Sequence, residues 1–192
     1  ARNTAAQAEN EAQMVARNAA ALFDSPADWV GGNPEGDVTL VEFVDYRCGY
    51  CRRAHDEVQA LLAADGNIRL VVKEFPILGE GSVLSSRFAV ATLLEEGDDA
   101  YGAIHDALIR LEAEPSLPVL NRIARTLGLD AEAIGARMDD PRVLEVLRAN
   151  RDLANQLEIN GTPTFVLGDQ LLRGYVPLAQ MQALVDRTRE EG

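Results

Sequence analysis

Hydrophobic and polar positions follow two different rhythms along this chain. From Thr4 to Phe23, Ala5, Ala8, Ala12, Val15, Ala19 and Leu22 fall at a 3-4 spacing, which predicts a helix with one apolar stripe. Such a stripe suits a helix lying on its own domain. It also suits an oligomerisation seam, although alanine at most seam positions makes a weak coiled coil by itself. Asp24, Ser25 and Pro26 break the pattern, and a turn is expected from Gly31 to Asp37. Val38 to Val44 is then almost continuously apolar and β-branched, the signature of a strand buried on both faces. Arg52 to Ala64 returns to helical spacing, with Ala54, Val58, Leu61 and Leu62 on one face, and Ile68 to Phe75 reads as a second strand. A strand, a helix and a strand in that order predict a parallel pair joined by a right-handed crossover.

Ser82 to Glu158 carries no strand pattern. It predicts helices over about 82–96, 98–112 and 141–158, with Pro141 in a tolerated first-turn place. Ser116 and Asp130 are N-cap candidates for two shorter helices between them. Thr164 to Leu167 and Gln170 to Gly174 predict a hairpin around Gly168 and Asp169, and Pro177 to Arg189 a last helix. The order is therefore β-α-β, a helical block, then β-β-α.

With 192 residues of which 47% are hydrophobic, the chain can bury a real core. Its 31 acidic against 18 basic side chains give a net charge of −13, which argues against nucleic acid or an anionic membrane as the partner. No apolar run approaches the roughly 20 residues of a membrane span. The chain opens at Ala1 with no signal-peptide pattern, which predicts a processed or trimmed chain from which any export signal would already be gone.

The two cysteines change the picture most. Cys48 and Cys51 are too close to be a disulfide framework, and with His55 and His105 as the sole histidines a structural zinc site lacks its ligands. Cys48 follows a buried strand and stands where the next helix should begin. Free backbone N–H groups and the helix dipole there favour a thiolate, the nucleophile of disulfide exchange. Arg47, Arg52, Arg53 and His55 are candidates to add to that effect. Cys51, one turn further on, is expected to be more buried and able to attack a mixed disulfide at Cys48. Far downstream, Gly161, Thr162, Pro163 and Thr164 lie just ahead of a strand, where an X-Pro bond can be cis.

On these residues the chain resembles the DsbA-like branch of the thioredoxin superfamily. The resemblance rests on Val41 to Arg53 (VEFVDYRCGYCRR), Lys73 to Ile77 (KEFPI), Gly161 to Phe165 (GTPTF) and Leu172 to Tyr175 (LRGY), and covers the chain from about residue 29. It implies an α/β thioredoxin fold with an inserted helical subdomain and an N-terminal helix. The expected division is residues 1–25 for the helix, 26–80 and 160–192 for the core, and 81–159 for the insert. By resemblance the catalytic residues are Cys48, which attacks, Cys51, which resolves, and Glu42, which accepts the Cys51 proton. Thr162, Pro163, Gly49 and Tyr50 are the expected substrate-binding residues, Lys73 an expected partner for Glu42, and Phe75, Pro76 and Ile77 expected lining for a substrate groove.

Gly49 and Tyr50 replace the Pro-His pair of the best-known oxidase of the family, and Thr162 stands where that oxidase has Val, as in the family's isomerases. With the N-terminal helix this looks most like the ScsC-like, copper-tolerance-associated branch, some members of which trimerise through that segment. The resemblance implies a periplasmic enzyme without a cofactor that oxidises, isomerises or reduces disulfides. Its expected partners are unfolded or misoxidised exported proteins and a membrane redox partner, with no nucleic acid, and a homo-oligomer through the first helix. The alternative is a binding protein holding Cu(I) between the same two thiols.

Overall fold

The computed structural model describes residues 2–192, with side chains from residue 4. Helices α1 (Arg2–Arg17) and α2 (Ala19–Phe23) lead into β1 (Trp29–Gly32), β2 (Val38–Val44), α3 (Gly49–Ala64) and β3 (Ile68–Glu74). Then come α4 (Glu80–Glu96), α5 (Asp98–Ile109), α6 (Leu117–Thr126), α7 (Ala131–Arg137) and α8 (Pro141–Gln156). The chain closes with β4 (Thr164–Leu167), β5 (Gln170–Arg173) and α9 (Leu178–Glu191).

The strands form one sheet in the order β1-β3-β2-β4-β5. β2 and β3 are parallel and the other pairs antiparallel. The register sets Glu42 beside Val72 and Val44 beside Glu74. Because side chains alternate across a strand, Leu40, Glu42 and Val44 share a face with Leu70, Val72 and Glu74. That face packs with Cys51, Val58, Phe88 and Ile104 of α3, α4 and α5. Val41, Phe43, Val71 and Phe75 point the other way, into a second core with Val15, Leu22 and Leu153. Helices on both faces explain why β2 reads as continuously apolar.

Three of the boundaries that differ from the sequence pattern have a visible cause. β1 runs into the start of an expected turn, because its two glycines look like a loop. Gly31 is there for a different reason: a Cβ on it would stand 2.3 Å from the Trp29 ring, which folds across it. The first helix breaks at Asn18, whose side chain bonds the Met14 carbonyl at 2.9 Å and competes with the backbone ladder. Its stripe also divides: Val15 and Leu22 are buried against the sheet, whereas Ala5 and Ala8 are exposed. Finally, α3 begins at Gly49 and not at Arg52, since Cys48 itself is the N-cap.

The expected Lys73–Glu42 pair does not form. Lys73 neighbours Glu74 on the strand, so it lies on the opposite face from Glu42. Its Nζ donates to the Ala21 carbonyl at 2.6 Å and to Asp28 Oδ2 at 2.5 Å, tying the segment after α2 to the sheet. Burial pushes Asp28 up and Lys73 down, each opposed by the other's charge.

Candidate active site

Cys48 stands at the C-terminal end of the β2 turn, with extended backbone angles that make it the cap of α3. Its Sγ accepts the Cys51 backbone N–H at 3.3 Å. The protonated thiol can instead donate to the Thr162 carbonyl, 3.2 Å away and 114 positions along the chain. The Thr162–Pro163 peptide is cis. Cys51 is wholly buried beneath, while Gly49 and Tyr50 face solvent, Tyr50 with 61% of its surface exposed.

These contacts separate the two thiols. Hydrogen bonding, first from the Cys51 thiol and then from the Thr162 side chain and the N–H groups of Cys51 and Tyr50, outweighs burial and brings Cys48 down to about 6. Cys51 is driven strongly upward, because its proton serves the Cys48 sulfur and because burial and the Glu42 charge disfavour a second anion. Titration of thiolate absorbance in the reduced protein is expected to centre on about 6. At pH 7 the Cys48 thiolate then outnumbers its thiol by roughly tenfold. A midpoint near that of a free cysteine would show that the cap does not activate this sulfur.

The nearby cations do not supply this effect. Arg47 donates to the Leu111 and Ala113 carbonyls, and Arg52 to those of Ile109 and Leu111. Both therefore clamp the end of α5, which stops at Ile109 and not near residue 112. Arg53 lies 4.8 Å over the Tyr175 ring, and His55 Nε2 bonds Asp106 at 2.8 Å. Hydrogen bonds, that of the Cys51 thiol first, do the work that charge was expected to share.

Glu42 is 2% exposed, on the face that carries Cys51. Burial first, then Glu74 and then Cys48 push it up to about 8.

Sequence reasoning missed two acidic residues. Asp45 is completely buried, and its carboxylate accepts from the N–H groups of Arg47, Ile77 and Leu78 and from Ser82 Oγ, at 2.8 to 3.1 Å. It joins the cysteine turn to the loop after β3, where Ile77 (39%) and Leu78 (54%) are exposed. An open groove of about 720 Å³ begins there, lined in part by Pro76, Ile77, Val83 and Leu84. Glu74 is the second, 2% exposed and bonded to Tyr46, Tyr101 and Ser86. An acidic residue at an inward position of an apolar strand was the available signal for Glu74.

A family model for the DSBA-like thioredoxin domain matches residues 39–186, from β2 into α9. The chain belongs to the DsbA-like thioredoxin family. A thioredoxin-like oxidoreductase from Silicibacter pomeroyi DSS-3 is 46% identical, with 89% of this chain and 97% of that one covered and a TM-score of 0.84. The catalytic domain of Proteus mirabilis ScsC is 25% identical over 92% of this chain and 97% of its own, with a TM-score of 0.83. The chain is also 28% identical, over 84% of its length, to the Na(+)/H(+) antiporter NhaA 3 of Salinispora tropica. The chain spans about a quarter of the length of the first curated relatives it matches (25% for this one). No described helix is long and apolar enough to cross a membrane.

Proposed function

We propose that this chain catalyses thiol–disulfide exchange in exported proteins, with Cys48 as the attacking sulfur and Cys51 as the resolving one. The observation that carries this reading is the split between the thiols: Cys48 at a helix N-cap, lowered to about 6, against Cys51 buried below it and raised. The thiolate attacks a substrate disulfide and displaces one sulfur. Cys51 then gives its proton to Glu42, attacks Cys48, and releases the substrate sulfur as a thiolate. Thr162 and Pro163 opposite the nucleophile, with exposed Gly49 and Tyr50, form the contact surface for the substrate backbone. The groove lined by Pro76, Ile77 and Val83 offers apolar contact to an unfolded chain.

The oxidising compartment this chemistry needs is, for a bacterial DsbA-like protein, the periplasm, and a membrane redox partner would recycle the dithiol. Thr162 favours isomerase or reductase use over pure oxidation. The exposed Ala5 and Ala8 leave the start of α1 free to pair with other copies. Refolding of ribonuclease separates the modes: an isomerase recovers activity from the scrambled form as well as the reduced one. Light scattering on the same sample is expected to give a mass above the monomer. Rescue of reduced ribonuclease alone, by a monomer, would leave a plain oxidase. No rescue of either form would remove the exchange reading.

A further inference from the structure

Beneath the cysteines lies a second buried carboxyl that the exchange chemistry above does not use. Glu42 and Glu74 are on adjacent parallel strands, on one face of the sheet, two register positions apart. Neither carboxyl is solvated, since each residue is 2% exposed. Two like charges this close in a low-dielectric core disfavour each other.

Glu74 is fixed by an unusual number of donors. Tyr46 and Tyr101 hydroxyls both donate to its Oε1 at 2.5 Å, and Ser86 Oγ donates to Oε2 at 2.7 Å. Tyr46 is two residues before Cys48, and its oxygen also stands 2.8 Å from His105 Nδ1. Tyr46 has one proton to give. When it donates to an ionised Glu74, His105 must donate from Nδ1. When Glu74 is protonated and donates, Tyr46 can donate to a bare Nδ1. The chain Glu74–Tyr46–His105 therefore accepts either charge state of Glu74 without losing a bond.

We infer that Glu74 is a positioning residue for the resolving step: its charge, held by Tyr46, Tyr101 and Ser86, sets the pH range over which Glu42 can accept the Cys51 proton. This rests on the reading of Glu42 as that acceptor. In the step, the Cys51 S–H bond breaks and the proton goes to a Glu42 carboxylate oxygen. The Cys51 sulfur then bonds to Cys48 as the Cys48–substrate S–S bond breaks, and the substrate sulfur leaves as a thiolate. An ionised Glu74 makes Glu42 hold its proton and so withholds the acceptor.

The surroundings leave few other controls. Glu74 faces Asp45 and Tyr46 of the cysteine turn, Tyr101 and His105 of α5, Ser86 of α4 and Glu42 of β2, while Asn150 of α8 bonds only its backbone carbonyl. Asp28 reaches Tyr101 from the segment before β1. Glu42 in turn meets Cys48, Cys51 and Glu74. The cations of β3, Arg69 and Lys73, lie on the opposite face of the sheet. His105 is brought down to about 3 by burial and then by His55, so it contributes hydrogen bonds and no charge. Burial, opposed by its three donors and reinforced by Asp45, sets Glu74 at about 7.

The test is the pH profile of the resolving step alone. A mixed disulfide is formed between Cys48 and thionitrobenzoate, and its release reports the attack by Cys51. In the wild type the rate should rise with a midpoint just below about 8, because a disulfide-bonded Cys48 no longer adds its charge to Glu42. Glu74→Gln should move the midpoint down by about one pH unit, a roughly fivefold faster release at pH 7. Glu42→Gln should abolish the titration. An unmoved midpoint in Glu74→Gln, with only a uniform change in rate, means that Glu74 is merely structural and overturns the inference. A wild-type profile in Glu42→Gln overturns the acceptor reading itself. If Glu74→Gln does not fold, Ser86→Ala decides: losing that donor raises Glu74, so Glu42 meets less negative charge as it titrates and the release midpoint should again fall, whereas an unmoved midpoint overturns the proposal.

Discussion

Cys48→Ser is expected to reduce exchange with a model disulfide by on the order of a thousandfold or more, down to the uncatalysed background. A serine hydroxyl at the same N-cap accepts the Cys51 N–H but is not ionised near neutral pH, and oxygen is a poor nucleophile toward disulfide sulfur. The fold should be unaffected, because serine is a good cap residue. Cys51→Ser should behave differently. Cys48 remains a thiolate, attacks, and then has no resolving partner, so covalent mixed disulfides accumulate. Non-reducing electrophoresis with a protein substrate reads both outcomes. An active Cys48→Ser variant, or a Cys51→Ser variant that accumulates no adduct, would reverse or remove the assignment of roles.

Lys73→Met should cost roughly 3–5 kcal/mol of stability, measured by urea unfolding, because it leaves the buried Asp28 without its cation. The side chains are 2% and 5% exposed, so water cannot take over the missing contact. Asp28 is already pushed up by burial, and once alone it will take up a proton. The deficit should therefore shrink as pH falls. Above the Asp28 midpoint the native state must either carry an unpaired charge or hold a proton that the unfolded chain has lost, and both favour unfolding. The double variant Lys73→Met, Asp28→Leu should recover most of the loss, since a buried ion pair is often no more stabilising than apolar residues of similar volume. A single variant as stable as the wild type would show that the pair does not anchor the segment after α2.

That pair illustrates how the sequence and the structure divide. The apolar run of β2, the caps at Ser116 and Asp130, the β4–β5 turn and the CxxC at a strand–helix junction were all legible. Each is decided by residues within a few positions of one another, and local backbone chemistry leaves little choice. Even the family could be read, because its motifs are short and contiguous. Edge strand β1 was not, since two successive glycines look like a turn until the Trp29 ring is seen lying across Gly31.

What brings Cys48 within 3.2 Å of the Thr162 carbonyl is sheet order, which no local pattern encodes. The same holds for Lys73, whose partner is set by the face it occupies and by where α2 ends, and for the arginines, which the end of α5 claims before the thiolate can. The sequence alone determined the two thiols, their place at a helix start and their class of chemistry. Tertiary structure alone decided which carboxyls surround the thiols and what the nearby arginines bind, because burial and charge coupling depend on through-space distance and not on position along the chain.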